Sequence, residues 1–210
     1  NPVRKSILDL KNSPYIPPGD YPLSILVLGG SQASKILSEF VPSALALLPK
    51  KISTHLKVAH QARDEDQQQV EEFYQKSGID AEVRTFFDDI PRRINETQLI
   101  ISRAGASTIA EISIIGRPSI LIPLKAAIRD EQTKNALSLA QAEAAIIISE
   151  DELTSLKLKE TIYELVKNPA RASKMAAAAY AISKPNASKK LMELVESSRN
   201  NSVKELSSAK

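Results

Sequence analysis

The feature that most constrains this chain is a series of six short apolar runs, each separated from the next by a longer amphipathic stretch. The runs occupy 24–30, 55–60, 81–87, 99–105, 118–124 and 144–149, and several are apolar without interruption. Continuous apolar runs of this length are typical of strands buried on both faces of a parallel sheet, because the crossover helices cover both faces. The sequence therefore predicts a doubly wound α/β domain.

The amphipathic stretches predict helices at about 32–48, 65–77, 89–96, 108–115, 131–143, 154–167, 169–181 and 186–199. Five prolines within 1–23 fix φ and remove amide donors, so an extended linker is expected there. The folded domain is expected over 24–196. The polar segment 197–210 has little periodicity and is expected to be a frayed tail.

Composition excludes several functional classes. The chain contains no cysteine and two histidines among its 210 residues, which excludes disulfides and thiolate metal sites and argues against a zinc cluster. The net charge of +3 is too small for a nucleic-acid-binding face, although it suits a phosphate ligand or an anionic lipid surface. No apolar run approaches the roughly 18 residues of a membrane-spanning helix. Because the chain begins at Asn1 without a methionine or a secretory leader, we expect a fragment of a longer protein.

Ligands of open α/β sheets bind beyond the carboxyl ends of the strands, so the residues that follow each apolar run are the candidates for a site. The first run ends in Gly29, Gly30 and Ser31. Two glycines allow close backbone approach, and the following helix directs its positive end outward, which favours a phosphate or diphosphate. A plain strand-to-helix turn explains the same residues. The spacing matches neither a dinucleotide-binding fingerprint nor a Walker loop.

The fourth run leads into a helix whose start contains Thr108 and Glu111. Their spacing matches a capping box, in which each side chain accepts a hydrogen bond from the backbone of the other. Alternatively, a carboxylate beside a helix start can accept two hydrogen bonds from the vicinal hydroxyls of a ribose. The sequence leaves both interpretations open.

The fifth run is followed by Asp130, a candidate N-cap, and by the amides of Gln132 and Asn135, which are three residues apart on one helical face. Amides offer both donors and acceptors and can recognise sugar hydroxyls. A solvated helix face is the alternative explanation for such a pair.

Taken together, the strand ends resemble the C-terminal half of the MurG family, bacterial transferases that add N-acetylglucosamine to a lipid-linked muramoyl-pentapeptide. The resemblance covers nearly the whole chain. The matching segments are 1–4, 26–32, 60–61, 86–90, 102–112, 116–124, 130–136 and 184–187. It implies a Rossmann-like, doubly wound domain, namely the donor-binding half of a two-domain GT-B glycosyltransferase.

The resemblance also implies roles for individual residues. Arg4 at the hinge would contact the donor, Ser31 would lie near the diphosphate, and the backbone of Phe87 would recognise uracil. The loop that ends in Glu111 would hold the ribose. The complete set of implied contacts to UDP-N-acetylglucosamine is Arg4, Ser31, Phe87, Ala106, Ser107, Thr108, Ile109, Ala110, Glu111, Gln132 and Asn135, with Gly29 and Gly30 in the phosphate loop.

In the implied reaction, an inverting transfer, the C4 hydroxyl of the lipid-linked muramoyl sugar attacks the anomeric carbon of UDP-N-acetylglucosamine. No cofactor or metal is expected to be obligatory, and no nucleic acid is expected to bind. The resemblance places the candidate general base and the acceptor-binding domain upstream of Asn1, so this chain is expected to carry no catalytic residue and to be inactive alone. The implied location is peripheral, at the cytoplasmic face of the bacterial inner membrane.

Two other functions are compatible with these residues. The chain could be a nucleotide-sugar-binding module that works only with a separate acceptor half, or a UDP-sugar epimerase of similar architecture. One departure from the family concerns the first loop, where Ala33 replaces a usual glycine, so its Cβ is expected to reduce the room beside a diphosphate.

Overall fold

The computed structural model describes residues 3–11, 13–19, 21–30, 33–125, 130–187, 189, 191–193 and 195. The strands are β1 (Leu23–Leu28), β2 (Leu56–Gln61), β3 (Asp80–Arg84), β4 (Leu99–Ser102), β5 (Ser119–Leu121) and β6 (Ala145–Ile147). The helices are α1 (Lys5–Leu8), α2 (Lys35–Ala46), α3 (Lys50–Ser53), α4 (Asp64–Ser77), α5 (Ile90–Glu96), α6 (Ala106–Ile115), α7 (Glu131–Gln141), α8 (Ser155–Lys167) and α9 (Pro169–Ala181).

The strands form one sheet in the order β3-β2-β1-β4-β5-β6, and every neighbouring pair is parallel. The chain order runs outward from β1 in one direction and from β4 in the other. Such a reversal opens a crevice between the loops that follow the two central strands. The predicted doubly wound α/β fold is therefore confirmed, and the sheet order places the crevice beyond Leu28 and Ser102.

Strand β1 shows why these runs are apolar on both faces. Ile25 and Val27 pack in a cluster with side chains from α2, α4 and α8, whereas Leu26 and Leu28 pack with side chains from α1, α5 and α6. Successive side chains of a strand point to opposite faces. Because helices cover both faces, no position in the middle of the strand can be polar without being buried.

Local capping chemistry fixes the bounds of several helices. The Thr154 side chain accepts a hydrogen bond from the amide of Lys157 at the start of α8, and Asn168 does the same for Arg171 at the start of α9. Helix α4 ends at Ser77 and is followed by Gly78, whose φ of 69° lies in the left-handed region that ends many helices. These helices keep the bounds that the sequence predicts to within a residue or two.

The N-terminal segment differs from the prediction of an extended linker over 1–23. Residues Lys5–Leu8 form helix α1, and Ile7 is fully buried beside Ile94 and Ile112. The prolines of this segment stand at 2, 14, 17, 18 and 22, so they do not prevent a helical turn between them. Burial of Ile7 attaches this turn to the domain.

The first crossover helix also starts later than predicted. Gly30 and Ala33 have φ values of 87° and 52°, both in the left-handed region, so helix α2 begins at Lys35 rather than near 32.

Strand β3 ends at Arg84, three residues before the end of the apolar run. Within the predicted helix over 186–199, residues 187, 189, 191–193 and 195 are helical. The remaining residues of that helix apart from 186, and the predicted tail over 197–210, lie outside the described residues. Within the described part of the chain, no helix has the length and apolar character needed to cross a bilayer.

Candidate functional site

Three loops at the carboxyl edge of the sheet surround one cavity of about 400 Å³. Gly29 and Gly30 follow β1, Gly105 follows β4, and Leu124 follows β5, while Gln132 reaches the cavity from α7. This is the edge at which ligands of doubly wound sheets bind. The candidate site is therefore formed by the ends of β1 and β4, where the strand order reverses, together with the end of β5.

The turn after β1 depends on its first glycine. A Cβ on Gly29 would overlap the backbone of Ala33 and Ser34, so only glycine fits at this position. Gly30 has open space around it, but its φ of 87° is one that residues with a side chain rarely adopt. Ala33, which also lines the cavity, takes a left-handed φ of 52° where a glycine would be unstrained. Ser31, predicted to lie near a diphosphate, is outside the described residues.

Glu111 lies in a largely buried position and pairs with Arg4 from the N-terminal segment. The Arg4 Nε donates to Glu111 Oε1 over 2.9 Å, and the two side chains are 53% and 10% exposed. Burial raises the pKa of the Glu111 carboxyl, and the Arg4 charge opposes that rise. Two of the residues that the resemblance assigns to donor binding, Arg4 and Glu111, are therefore each other's partners in this structure.

The capping-box interpretation of Thr108 and Glu111 is wrong. Helix α6 begins at Ala106 with Gly105 as its N-cap, so Thr108 is the third helical residue rather than the residue before the helix. Glu111 is the sixth helical residue, too far along the helix to reach an N-cap amide. Along the rest of this segment, Ala106 and Ser107 are exposed, Thr108 and Ala110 are half-buried, and Ile109 is buried.

Gln132 and Asn135 share one face of α7, as predicted, and both contact the loop after β4. Gln132 Oε1 accepts hydrogen bonds from the amides of Ala104, at 3.2 Å, and Leu124, at 3.0 Å. Asn135 Nδ2 donates to the Ala104 carbonyl over 3.1 Å. These bonds exclude the solvated-face interpretation. No hydrogen bond joins the Gln132 Nε2 group to another described residue, and the residue is half-buried beside the cavity.

Two other predicted residues have more local roles. Asp130 occupies the N-cap position of α7 with a left-handed φ of 53°, but its side chain forms no capping hydrogen bond with the described residues. Phe87 is buried on the loop after β3, and the guanidinium of Arg93 lies 4.1 Å from the centre of its ring. Of the described residues assigned to the donor or its phosphate loop, Gly29, Gly30 and Gln132 line the 400 Å³ cavity. The others do not line it, namely Arg4, Phe87, Asn135 and the segment Ala106–Glu111.

Arg103 is the residue of this site that sequence analysis missed. Its side chain is largely buried and lies against the same cavity. It donates to the Ser34 hydroxyl and the Ile122 carbonyl, and it forms an ion pair with Glu150. The available signal was the presence of one arginine among small residues directly after an apolar strand.

A larger cavity of about 590 Å³ lies at the other edge of the sheet, beside Leu23 at the start of β1. Its basic side chains, Lys51 and Lys167, belong to exposed residues, as does the neighbouring His55. We favour the smaller cavity as the site because it lies at the carboxyl ends of the strands. Among the described residues, no group of three or more histidine, aspartate or glutamate side chains is placed to hold a metal ion.

The sheet order and the glycine turn beyond its first strand define a Rossmann-like α/β domain, the class found as the C-terminal domain of GT-B glycosyltransferases. The sequence profile of the glycosyltransferase family 28 C-terminal domain matches residues 24–195, and the chain belongs to that family.

Curated relatives and solved structures extend this assignment. A UDP-N-acetylglucosamine–N-acetylmuramyl-(pentapeptide) pyrophosphoryl-undecaprenol N-acetylglucosamine transferase of Caulobacter vibrioides is 43% identical over 93% of this chain and 54% of its own length. The crystal structure of Acinetobacter baumannii MurG matches with a TM-score of 0.78 and 30% identity, over 94% of this chain and 55% of that one. A putative UDP-N-acetylglucosamine 2-epimerase of Listeria monocytogenes shares the fold, with a TM-score of 0.61 at 13% identity. The chain spans about half the length of the curated relatives it matches.

Proposed function

We propose that this chain is the donor-binding half of an inverting transferase that moves N-acetylglucosamine from UDP-N-acetylglucosamine to undecaprenyl-pyrophosphoryl-N-acetylmuramoyl-pentapeptide, a step of peptidoglycan synthesis. The observation that carries the proposal is the meeting of the loops after β1, β4 and β5 around one cavity. The transferase activity for which the Caulobacter vibrioides relative is named supports the choice of donor and acceptor.

In the proposed reaction, the departing UDP gains negative charge on its diphosphate. The glycine turn and the start of α2 would stabilise that charge, because Gly29, Gly30, Ser34 and Lys35 all line the cavity. Backbone amides and the positive end of a helix favour anions, and preorganised donors contribute most where charge develops. The chemistry proposed for this chain needs no resident cofactor.

Glu111 and Gln132 would orient the rest of the donor. The Glu111 carboxylate would leave Arg4 and accept hydrogen bonds from the ribose hydroxyls, while Arg4 becomes available to the donor. The Gln132 Oε1 is already used by two backbone amides, so its Nε2 would donate to an oxygen of the amino sugar. Asn135 holds the Ala104 carbonyl, which supports the same loop.

The acceptor side belongs to the rest of the intact protein in this proposal. A separate domain would bind the lipid-linked sugar and supply the general base, and closure about the segment near Arg4 would bring donor and acceptor together. Because the acceptor is a membrane lipid, the enzyme would act as a peripheral protein at the cytoplasmic face of the inner membrane. The processes concerned are cell-wall synthesis, cell shape and cell division.

The donor assignment is tested by calorimetric titration of this chain with UDP-N-acetylglucosamine. Replacing Gln132 by alanine is expected to weaken binding about tenfold, because one hydrogen bond to the ligand and the support of two loops are lost. Gln141→Ala, an exposed position at the far end of the same helix, is the matched control and should bind as the unaltered chain does. Equal affinities for all three proteins would remove Gln132 from the site.

A second candidate function is a binding module that is inactive without a partner half. The match of residues 24–195 to the C-terminal domain of glycosyltransferase family 28 supports this candidate. We expect no transfer to a lipid-linked muramoyl-pentapeptide by these 210 residues alone, and restored transfer when an N-terminal half is supplied separately. Turnover by this chain alone would refute the module. Release of an epimerised UDP-sugar without transfer would instead support an epimerase. The shared fold is the observation that supports this third function.

A further inference from the structure

We infer that Arg103 is a positioning residue of the proposed donor site, which holds the start of α2 and the loop after β5 in place so that a diphosphate meets a preformed turn. The inference rests on the proposed function, because it concerns how that site recognises its ligand. It assigns to Arg103 an action through Ser34 rather than a direct contact with the ligand.

The first support is the set of contacts that Arg103 makes with other strand ends. Its backbone amide donates to the Leu28 carbonyl at the end of β1 over 3.1 Å. Its Nε donates to Ser34 Oγ over 2.9 Å, and its Nη1 donates to the Ile122 carbonyl over 3.1 Å. Nη1 also lies 2.6 Å from Glu150 Oε1, after β6. One side chain thus connects the segments that follow β1, β5 and β6 to its own strand, β4.

The second support is the burial and charge of this connection. The side chains of Arg103 and Glu150 are only 11% and 19% exposed, so solvent screens their ion pair weakly. Removing one partner would leave the other charge largely buried. The guanidinium is planar and presents its donors in a fixed fork, whereas a lysine ammonium is a point charge on a flexible stem. Lysine at this position could keep the ion pair but could not hold all three acceptors in the same geometry.

The third support is the hydrogen bonding of the Ser34 side chain. Serine at an N-cap normally accepts a hydrogen bond from the first turn of its own helix. Ser34 is the N-cap of α2, yet its side chain makes no capping hydrogen bond within the described residues and instead accepts from Arg103. The hydroxyl therefore fixes the helix start to β4, and Arg103 determines where the first turn of α2 lies.

Replacing Arg103 should weaken the binding of the phosphate part of a ligand and leave the binding of its nucleoside part unchanged. Arg103, Ser34 and Lys35 line the cavity together with Gly29 and Gly30, whereas Phe87 and Glu111, the residues assigned to uracil and ribose, do not. A change in the position of α2 would therefore alter diphosphate binding and leave the nucleoside contacts in place. This separation allows a direct test with two probes, UDP and uridine.

The test measures UDP affinity by calorimetry and uridine affinity by ligand-observed magnetic resonance on this chain. Arg103→Lys is expected to lower the UDP affinity about tenfold and to leave the uridine affinity within about twofold of its starting value. Ser34→Ala should lower the UDP affinity to a smaller extent. Arg171→Lys, an exposed position on α9, is the matched control. Unfolding curves establish that each variant is folded, and Ser34→Ala carries the test if Arg103→Lys does not fold.

A double-variant cycle distinguishes positioning from direct contact. If Arg103 acts through Ser34, the double variant should lose no more UDP affinity than Arg103→Lys alone, because residues that act through each other are not additive. Additive losses would mean that Arg103 binds the diphosphate itself and would overturn the inference. Unchanged UDP affinity, or equal losses for UDP and uridine, would also overturn it. If the unaltered chain binds neither probe, the proposed function fails and the inference fails with it.

Discussion

Replacing Glu111 by alanine is expected to lower the affinity of this chain for UDP-N-acetylglucosamine about 100-fold, because the substitution removes a buried carboxylate that would accept two hydrogen bonds from the ribose. The side chain is 10% exposed, and Oε1 is held by Arg4 in the structure. Water cannot readily replace the carboxylate in such a position. The loss of affinity should therefore exceed that caused by Gln132→Ala, because the Nε2 group of Gln132 would donate to a single region of the sugar.

We expect the ionised carboxylate of Glu111 to be the form that binds the donor, and the pH dependence of binding tests this expectation. Burial raises the pKa of Glu111, with Arg4 opposing the rise. An ionised carboxylate accepts hydrogen bonds through both oxygens, so ribose binding favours the ionised form. Affinity should consequently rise as the pH increases through this raised pKa and fall as the carboxyl becomes protonated. The Glu111→Gln variant has no such group and should lose this part of the pH dependence.

Calorimetric titrations at several pH values measure both effects, with UDP-N-acetylglucosamine as the ligand. Glu160→Ala, at an exposed position on α8, is the matched control and should leave the affinity unchanged. Unaltered affinity in both Glu111→Ala and Gln132→Ala would defeat the assignment of the site.

Replacing Arg117 by methionine is expected to lower the free energy of unfolding by about 3 kcal/mol, because several buried carbonyl groups lose their donor at once. Arg117 is 1% exposed and is the largest fully buried side chain in the described part of the protein. It donates to five backbone carbonyls and one side-chain oxygen, which belong to Ser13, Pro14, Asn95, Ile115 and Gly116.

The contacts of Arg117 explain why methionine cannot replace it. Desolvation by burial lowers the pKa of Arg117 to about 10, so the side chain remains cationic at neutral pH. The guanidinium carbon also lies 5.6 Å from the centre of the Tyr15 ring. Methionine would fill part of the volume but supply no donor. The carbonyls of Ser13 and Pro14 would then lose a bond that attaches the N-terminal segment to the turn after α6.

Denaturant unfolding monitored by circular dichroism measures this loss, with Arg171→Met at an exposed position as the control. The control should change the midpoint little, because exposed substitutions cost about 0.5 kcal/mol or less. A loss no larger for Arg117→Met than for this control would show that the carbonyls are satisfied by water, and the structural role assigned to Arg117 would be wrong.

Some parts of the fold follow from local patterns, and they were predicted well. The apolar runs marked all six strands, and their lack of alternation indicated a sheet covered on both faces. Helices α4, α8 and α9 keep nearly their predicted bounds, because charged first turns, an N-cap threonine or asparagine and a C-terminal glycine act within a few residues. The shared face of Gln132 and Asn135 was predictable for the same reason.

The errors concern positions that a distant part of the chain determines. A capping box was one of two interpretations that the sequence left open for Glu111, but its partner is Arg4, 107 residues earlier in the sequence. An extended linker was expected around Ile7, but α5 and α6 bury that side chain. Neither partner can be identified from spacing along the chain, since neither is a sequence neighbour.

Local sequence patterns were sufficient to predict a doubly wound parallel sheet and to show which strand ends carry glycine, carboxylate and amide side chains. The contacts between those side chains became known from the three-dimensional fold, including the pairing of Arg4 with Glu111 and the connection of Arg103 to Ser34 and Glu150. The two kinds of information differ in their range along the chain. Periodicity and capping depend on contacts within a helical turn or a strand, whereas the partners of buried charged groups depend on the order in which the sheet brings distant loops together.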